Sequence, residues 1–257
     1  PRRCAVSGSM APSLPPAHAR LVLGIETSCD ETAVAVVEGG SRVRSSVVAS
    51  QHDLHAEYRG VVPEIASRAH AERISPVLQA ALRDAGVALG DVHAIAVGNR
   101  PGLIGSLLVG VSSAKALAWS LGVPLVGVDH VQAHLVSGLI DHATPGPSAA
   151  QPAASAGHAP ALGLVVSGGH TALYLVDEAF ALRKIGGTID DALGEAYDKV
   201  AAILGLPFPG GPAVDRLAST PGADERRHDF PIARPAPGSG IGPLDCSFSG
   251  LKTAVLY

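Results

Sequence analysis

The 257-residue sequence predicts an α/β protein of two lobes built on a repeated plan. Two stretches, 21–38 and 161–176, each combine an apolar strand, a polar turn and a second apolar strand. Between them, short apolar strands alternate with helical segments, a pattern that favours parallel strands. The composition agrees, because 47% of the residues are hydrophobic but only 4% are aromatic, which suits a buried sheet covered by helices.

The first lobe is predicted to span residues 21–128. It follows an extension, residues 1–20, that is rich in Pro, Ser and Arg, lacks hydrophobic periodicity and is expected to be disordered. Gly86 and Gly122 are placed to end its two helices. Its predicted elements are the strand–turn–strand unit 21–38, a helix over 63–86, a strand over 92–98, a helix over 105–122 and a strand over 124–129.

The second lobe is predicted to span residues 129–257. An Ala/Pro/Ser/Gly-rich stretch without periodicity, 141–160, is expected to be a flexible loop. The remaining predicted elements are the strand–turn–strand unit 161–176, a helix over 190–206, a Pro-Gly turn and short helix over 207–219, a loop over 224–243 and a final helix within 247–257. Because no cap closes that last helix, we expect the sequence to be a fragment of a longer protein.

Composition also narrows the class of protein. The formal net charge of −4 gives no global basic field for nucleic acid, so a local patch or a partner would have to supply one. No apolar run reaches the ~18 residues of a membrane span, and we expect no membrane contact. Three cysteines are too few and too scattered for a disulfide framework, which favours the reducing cytoplasm.

His130 and His134 lie four residues apart in the apolar stretch "VGVDHVQAHLVSGL". On a helix this spacing brings both to one face, where they could share a metal ion, although two structural histidines give the same pattern. The pair follows the predicted strand 124–129, and open α/β sheets bind ligands at strand ends. A metal site would still need a third ligand, for which we expect an oxygen donor.

Two glycine turns are candidate anion sites. In "VVSGGHT" (165–171), two glycines after a strand let backbone amides approach a phosphate or carboxylate, and Ser167 and His170 could add side-chain donors. In "FPGGPAVD" (208–215), a Gly-Gly turn precedes a helix with Asp215 one turn in, which suits an anion or a ribose hydroxyl. A plain tight hairpin and a plain helix start give the same motifs.

The stretch "ETSCDET" (26–32) gathers three carboxylates, those of Glu26, Asp30 and Glu31, in one turn. Bringing like charges together is unfavourable and therefore points to a function. A solvated acidic turn remains the alternative.

Seven collinear motifs carry a family resemblance: "LGIETSCDETAVAV", "RGVVPEIASRAH", "PGLIGSLLVG", "DHVQAH", "LVVSGGHT", "IDDALGEAYDKVAAILGLPFPGGP" and "DCSFSGLKTAV". Together they closely resemble the bacterial tRNA adenosine threonylcarbamoyltransferase family of the TsaD type, formerly known as glycoproteases. The resemblance covers residues 21–257 except the loop 141–160.

The resemblance implies an α/β fold of the actin, sugar-kinase and Hsp70 type: a duplicated two-lobe fold with a ligand cleft. The second lobe would be incomplete, because the family normally continues beyond the point where this sequence stops. The implied reaction transfers the threonylcarbamoyl group from threonylcarbamoyl-adenylate to the exocyclic N6 amine of adenosine 37, in tRNAs that read ANN codons.

The resemblance also assigns residues. His130 and His134 match the family's two metal-binding histidines, and Asp30 and Glu31 match a segment implicated in activity, either of which could accept the amine proton. The substrate-binding matches are Val165, Val166, Ser167, Gly168, Gly169, Asp198, Gly211 and Asp215.

The implied cofactor is one divalent metal, iron(II) first and zinc second. The implied partners are tRNA, a paralogous TsaB-type subunit without the metal site and a small TsaE-type ATPase. The family's further length would supply an asparagine contact to the nucleotide and an aspartate metal ligand.

The chain departs from the family pattern at two positions near these motifs. "GNRPGL" replaces the usual "AGPGL", so that Arg100 stands where a small residue is typical and would either disturb the loop or point to solvent. Asp129 precedes His130 where His or Asn is common, and we expect it to be tolerated.

Alternative functions stay open on the residues alone. A metallopeptidase of the His-Glu-x-x-His kind would carry a Glu after its first histidine, where this chain has Val131. A small-molecule kinase of the same superfamily would share the two hairpins without needing the histidine pair. A non-catalytic fragment would act only in partner assembly.

Overall fold

The computed structural model describes residues 16–58, 60–137, 160–178, 181–224, 227–231 and 242–257. Most of the extension 1–20, nearly all of the loop 141–160 and part of the loop 224–243 lie outside the described residues. The strands are β1 (Leu21–Glu26), β2 (Glu31–Glu38), β3 (Arg42–Ser50), β4 (Ala94–Arg100), β5 (Leu125–Asp129), β6 (Ala161–Val166), β7 (Thr171–Val176) and β8 (Leu182–Gly187). The α-helices are α1 (His52–His55), α2 (Pro63–Ala85), α3 (Ile104–Leu121), α4 (His130–Ser137), α5 (Leu193–Ile203), α6 (Gly210–Ala218) and α7 (Ser249–Leu256).

The chain forms two compact units. Among the described residues, the first comprises 16–52 and 61–130, and the second comprises most of 53–60, residues 131–137 and what is described of 160–257. The predicted lobe boundary after residue 128 and the predicted disorder of 1–20 stay predictions.

The first unit is a five-stranded sheet in the order β3-β2-β1-β4-β5. β1, β2 and β3 pair antiparallel in turn, whereas β4 runs parallel to both β1 and β5. The predicted strand–turn–strand unit over 21–38 and the predicted parallel strands are therefore confirmed.

Helices α2 and α3 cover this sheet and form the core with it. Alternate residues of β1 and β2, such as Leu23, Ile25 and Val34, are buried against small residues of the two helices, such as Ala81 and Ala114. Pro at the first position starts α2, and Gly86 ends it in the left-handed conformation, with φ at 67°.

Helix α3 is, among the described residues, the one helix long and apolar enough to cross a membrane by length and composition alone. It packs instead along one face of the first unit, through Ser106, Leu107, Gly110, Ala114 and Ala118. No unbroken apolar run revealed it in the sequence, because serine, glycine and lysine interrupt the helix. The expected absence of membrane contact stays a prediction.

The second unit repeats the first three strands of the first. β6, β7 and β8 form an antiparallel sheet in that order, as β1, β2 and β3 do, and the predicted unit over 161–176 is confirmed. The predicted mixed α/β fold of the actin, sugar-kinase and Hsp70 type agrees with this repeated plan.

Two predicted element boundaries were wrong. The helix predicted over 190–206 spans Leu193–Ile203, because Asp190 instead accepts hydrogen bonds from the backbone amides of Phe248 and Ser249 at the start of α7. The strand predicted over 92–98 spans Ala94–Arg100, and Arg100 pairs with Asp129 of β5 after a bulge.

Candidate functional site

A polar cluster in the first unit lies where parallel strands end. Glu26 ends β1, Arg100 ends β4, and Asp129 ends β5 directly before His130 of α4. The carboxyl ends of parallel strands are the usual ligand edge of an open α/β sheet. The sequence expectation that His130 follows a strand end is confirmed.

The turn after β1 is held in place by hydrogen bonds within the turn and to the start of α3. The amide of Ser28 donates to Glu26 Oε1 at 2.6 Å, and the carbonyl of Ser28 accepts from the amide of Leu103 at 2.9 Å. The buried hydroxyl of Thr27 donates to the carbonyl of Ser106 at 2.8 Å. The turn is thus tied to the first residues of α3 and to the loop before it.

His130 contacts this turn through one ring nitrogen. Its Nδ1 lies 3.2 Å from Ser28 Oγ and 3.5 Å from Glu26 Oε2. The hydrogen bond to Glu26 raises the pKa of His130 in spite of partial burial. Burial opposes ionisation of Glu26, but the hydrogen bonds from His130 and Ser28 outweigh it and lower the pKa of that carboxyl group.

His134 lies one turn further along α4, at a position that belongs to the second unit. The i, i+4 spacing on one helix is confirmed. Imidazole nitrogens are donors that both iron(II) and zinc accept, so the pair fits two positions of such a site. Within the described part of the chain, no group of three or more His, Cys, Asp and Glu side chains is placed to hold a metal.

The two carboxylates assigned to activity lie beyond Glu26 on the same turn. Asp30 Oδ2 lies 3.8 Å from His52 Nε2, and Glu31 is exposed as the first residue of β2. Their role stays a prediction. The carboxylate that contacts a predicted ligand is instead Glu26, which the sequence placed in the acidic turn without assigning it a role. The feature of the sequence that could have identified Glu26 is its position as the last residue of a strand.

A buried histidine of α2 hydrogen-bonds to the turn after β1. His70 of α2 is fully buried; its Nε2 donates to the carbonyl of Cys29 at 3.0 Å, and its Nδ1 accepts from Thr32 Oγ at 2.8 Å. Since a carbonyl only accepts, Nε2 carries a proton, and in the neutral ring Nδ1 is the acceptor that faces Thr32. Burial lowers the pKa of His70, which favours the neutral ring in the folded chain.

Cys29 is not set up as a nucleophile. The residue is exposed, but its sulfur is partly enclosed and faces Asp30, and burial together with that carboxylate raises the pKa of the thiol to about 12. A reactive cysteine needs a lowered thiol pKa, so thiolate chemistry at this turn is disfavoured at neutral pH.

The glycine turn of the second unit follows β6, and hydrogen bonds between its first and last residues close it. Ser167 donates its amide to the carbonyl of His170 at 2.8 Å, and Ser167 Oγ accepts the amide of His170 at 3.0 Å. A Cβ added at Gly168 or Gly169 would meet no atom within 4 Å. The backbone there is open to a ligand. Val165 is buried, and Val166 is exposed.

The start of α5 lies directly against this turn. Gly194 donates its amide to the carbonyl of Ser167 at 3.2 Å, and a Cβ at Gly194 would lie 2.6 Å from that oxygen and 2.8 Å from Gly168 Cα. The amide of Leu193 donates to Thr171 Oγ at 2.8 Å. The glycine turn and the start of α5 therefore lie in contact, and the first two amides of that helix are satisfied by Thr171 and Ser167.

The remaining predicted substrate residues gather around the start of α6. Asp198 of α5 accepts the amide of Gly210 through Oδ1 at 2.7 Å, so one carboxylate oxygen caps α6. Gly211 follows in the first turn, and Asp215 is exposed one turn later on the same helix. The predicted short helix after the Pro-Gly turn is confirmed, and the ribose role of these residues stays a prediction.

The two departures from the family pattern lie together. Arg100 does not disturb the loop; it points outward, and its Nε lies 3.3 Å from Asp129 Oδ2. The strand register places the two residues opposite each other. The carboxylate of Asp129, directly before His130, therefore forms an ion pair with the guanidinium of Arg100.

Comparison with known families gives a match over most of the chain. Residues 42–257 match the family model described as "TsaD: tRNA N6-adenosine threonylcarbamoyltransferase". Two curated relatives with that enzyme name come from Pelobacter propionicus, at 52% identity, and from Trichlorobacter lovleyi, at 53%. Each match covers 92% of this chain and 64% of the relative, so the chain spans less than two thirds of their length.

Solved structures give weaker likenesses. YeaZ from Pseudomonas aeruginosa is 20% identical with a TM-score of 0.38, covering 64% of each chain. The ethanolamine utilization protein EutJ from Carboxydothermus hydrogenoformans is 13% identical with a TM-score of 0.44, covering 79% of this chain and 63% of that one. TM-scores this low do not establish a shared fold. The sequence matches do establish the family: the chain belongs to the TsaD family of tRNA N6-adenosine threonylcarbamoyltransferases.

Proposed function

We propose that this chain takes part in transferring the threonylcarbamoyl group from threonylcarbamoyl-adenylate to the N6 amine of adenosine 37, in tRNAs that read ANN codons. The family match over residues 42–257 carries the proposal. The names of the relatives favour neither the metallopeptidase nor the purely structural alternative.

The acyl-adenylate is assigned to the second unit. The stretch from Val165 to Gly169 would hold its phosphate, and Asp198, Gly211 and Asp215 its ribose. The open space beside Gly168 and Gly169 supports the phosphate role, because backbone without side chains lets an anion approach the amides closely.

The reaction needs orientation more than a strong base. The adenosine amine is a weak nucleophile, but the acyl-adenylate is already activated, so holding the two reactants in line lowers the barrier most. As the amine nitrogen bonds to the carbamoyl carbon and the bond to the phosphate oxygen breaks, AMP leaves, and Asp30 or Glu31 would accept the proton that the amine loses. The exposure of Glu31 at the start of β2 supports a role in contact with substrate.

His130 and His134 are assigned to one divalent metal, iron(II) before zinc. When bound, such an ion supplies Lewis-acid polarisation of an oxygen. The helical spacing of the two imidazoles supports the assignment.

Partners are proposed from the family and from one exposed surface. Helix α3 carries an apolar stripe, Ile104, Leu108 and Trp119, that is 77%, 58% and 88% exposed. Exposed apolar patches of this kind mark protein interfaces, and exposed tryptophan is enriched at their centres. We assign the stripe to the TsaB-type subunit. The TsaE-type ATPase, the tRNA and a cytoplasmic location complete the proposal.

A transfer assay tests this function. The 257-residue chain would be combined with TsaB-type and TsaE-type proteins, threonylcarbamoyl-adenylate and tRNA that lacks the modification, and the tRNA nucleosides analysed by mass spectrometry. Threonylcarbamoyladenosine should appear at position 37 and not in a reaction without the chain. A mixture that leaves the tRNA unmodified would contradict the proposal.

A further inference from the structure

The carboxylate of Glu26 and the ring of His130 meet across the edge of the first unit. His130 Nδ1 lies 3.5 Å from Glu26 Oε2 and 3.2 Å from Ser28 Oγ. A carboxylate can only accept, so its contact with Nδ1 favours the tautomer with the proton on that nitrogen, and the Ser28 hydroxyl can accept from the same N–H. This leaves Nε2 with the lone pair that can coordinate a metal.

Glu26 is itself held from two sides. Its other oxygen, Oε1, accepts the amide of Ser28 at 2.6 Å. The loop before α3 presses on the same turn, because a Cβ at Gly102 would lie 2.6 Å from the carbonyl oxygen of Ser28. The carboxylate is therefore fixed before any ligand arrives.

The neighbouring strand leaves room for this carboxylate. A Cβ at Gly98 of β4 would collide with Glu26 Oε2, so the side chain lies across a position that has no side chain of its own. Glycine at residue 98 is thus part of the arrangement, and alanine there would displace the carboxylate without changing its charge.

We propose that Glu26 is a positioning residue that fixes the proton of His130 on Nδ1 and presents Nε2 to the metal. A carboxylate behind a metal-binding histidine orients the ring and makes it a better ligand. The proposal rests on the metal role given above to His130. It adds a residue that the family resemblance did not assign.

The first measurement is made on the metal-free 257-residue chain. Nitrogen-15 NMR of its histidine rings at alkaline pH reports which nitrogen carries the proton, with His130 assigned by its loss in His130→Asn. We expect an Nδ1–H ring in the unsubstituted chain and in Glu26→Gln, whose amide oxygen still accepts. We expect that preference to be lost in Glu26→Ala and in Gly98→Ala.

The second measurement is the affinity for Co²⁺, followed by its visible absorption. Glu26→Ala and Gly98→Ala should bind about 10- to 100-fold more weakly, with Glu26→Gln between them and the unsubstituted chain. Glu72→Gln removes a carboxylate from the exposed side of α2 and should change neither measurement.

The outcomes separate this proposal from the proposed function. An Nε2–H ring at His130 in the unsubstituted chain overturns the role of Glu26, whatever the chain does with metal. An Nδ1–H ring at His130 in a chain that binds no Co²⁺ supports the positioning role of Glu26 and counts against the assignment of His130 as a metal ligand. Equal Co²⁺ affinity in the unsubstituted chain and Glu26→Ala also overturns the proposal.

Discussion

Arg100 Nε lies 3.3 Å from Asp129 Oδ2, at the edge of the sheet where His130 begins its helix. Both residues depart from the family pattern, and the strand register sets them opposite each other. The carboxylate of Asp129 adds negative charge beside His130, and the guanidinium of Arg100 offsets part of it. The two residues therefore form one ion pair at the end of the parallel strands.

Arg100 and Asp129 should be coupled in stability, but weakly. Arg100 is 76% exposed, so solvent screens the pair, and we expect a coupling of ~0.2–1 kcal/mol from a double-mutant cycle of Arg100→Ala and Asp129→Ala. Urea unfolding at low salt measures it. Arg42→Ala, which removes an exposed arginine of β3, should show no coupling to Asp129→Ala. Absence of coupling for Arg100 would show that the pair does not form in solution.

His70 should make the folded chain less stable in acid. Well above the ordinary pKa of 6.5 the ring is neutral in both the folded and the unfolded chain, and its titration does not affect the free energy of unfolding. As the pH falls below 6.5, the unfolded chain takes up the proton first, because burial lowers the pKa of His70 in the folded chain. The free energy of unfolding should then fall, by at most about 1.4 kcal/mol per pH unit, until the folded pKa is reached.

His70→Gln is the matched variant for that test. Glutamine can still donate to the carbonyl of Cys29 and accept from Thr32, but it does not titrate. Chemical unfolding of both chains across this pH range should show a smaller acid loss in the variant. Parallel curves would mean that His70 is not held neutral.

Gly194 and Gly168 should respond differently to alanine. A Cβ at Gly194 meets backbone atoms of Ser167 and Gly168 that cannot move aside, so Gly194→Ala should cost ~1–3 kcal/mol of stability. Gly168→Ala meets nothing within 4 Å and should unfold like the unsubstituted chain, but it should weaken binding of threonylcarbamoyl-adenylate if that backbone holds the phosphate. Thermal unfolding and calorimetric titration measure the two effects. Undiminished binding of threonylcarbamoyl-adenylate by Gly168→Ala would show that Gly168 does not hold the phosphate.

Trp119 should matter for association and not for folding. It is 88% exposed, so Trp119→Asp should leave the unfolding midpoint unchanged while weakening binding to the TsaB-type subunit at least tenfold. Titration calorimetry with that subunit measures the effect. Ser120→Asp adds the same charge at the next exposed position and serves as the control. Equal affinities in all three chains would place the interface on another surface.

Local pattern sufficed for much of the fold. The hairpins over 21–38 and 161–176 are apolar strands separated by polar turns, and Gly86 and Gly122 end their helices where expected. Strand β3 was missed because charged and serine side chains occupy its exposed face.

The candidate site was only partly visible in the sequence. The helical spacing of His130 and His134 follows from local periodicity, and the glycine turn follows from composition. The contact of Glu26 with His130 and the pairing of Arg100 with Asp129 join residues distant in the chain, and they depend on which strands lie side by side. No local pattern encodes that order.

The most direct test of the account removes both proposed metal ligands at once. His130→Ala/His134→Ala and the unsubstituted chain would be compared for bound iron and zinc by elemental analysis, and for threonylcarbamoyladenosine formation with the partner proteins present. Bound metal and transfer should be lost together in the double variant, while its far-ultraviolet circular dichroism spectrum is kept. Full transfer by the double variant would contradict this prediction.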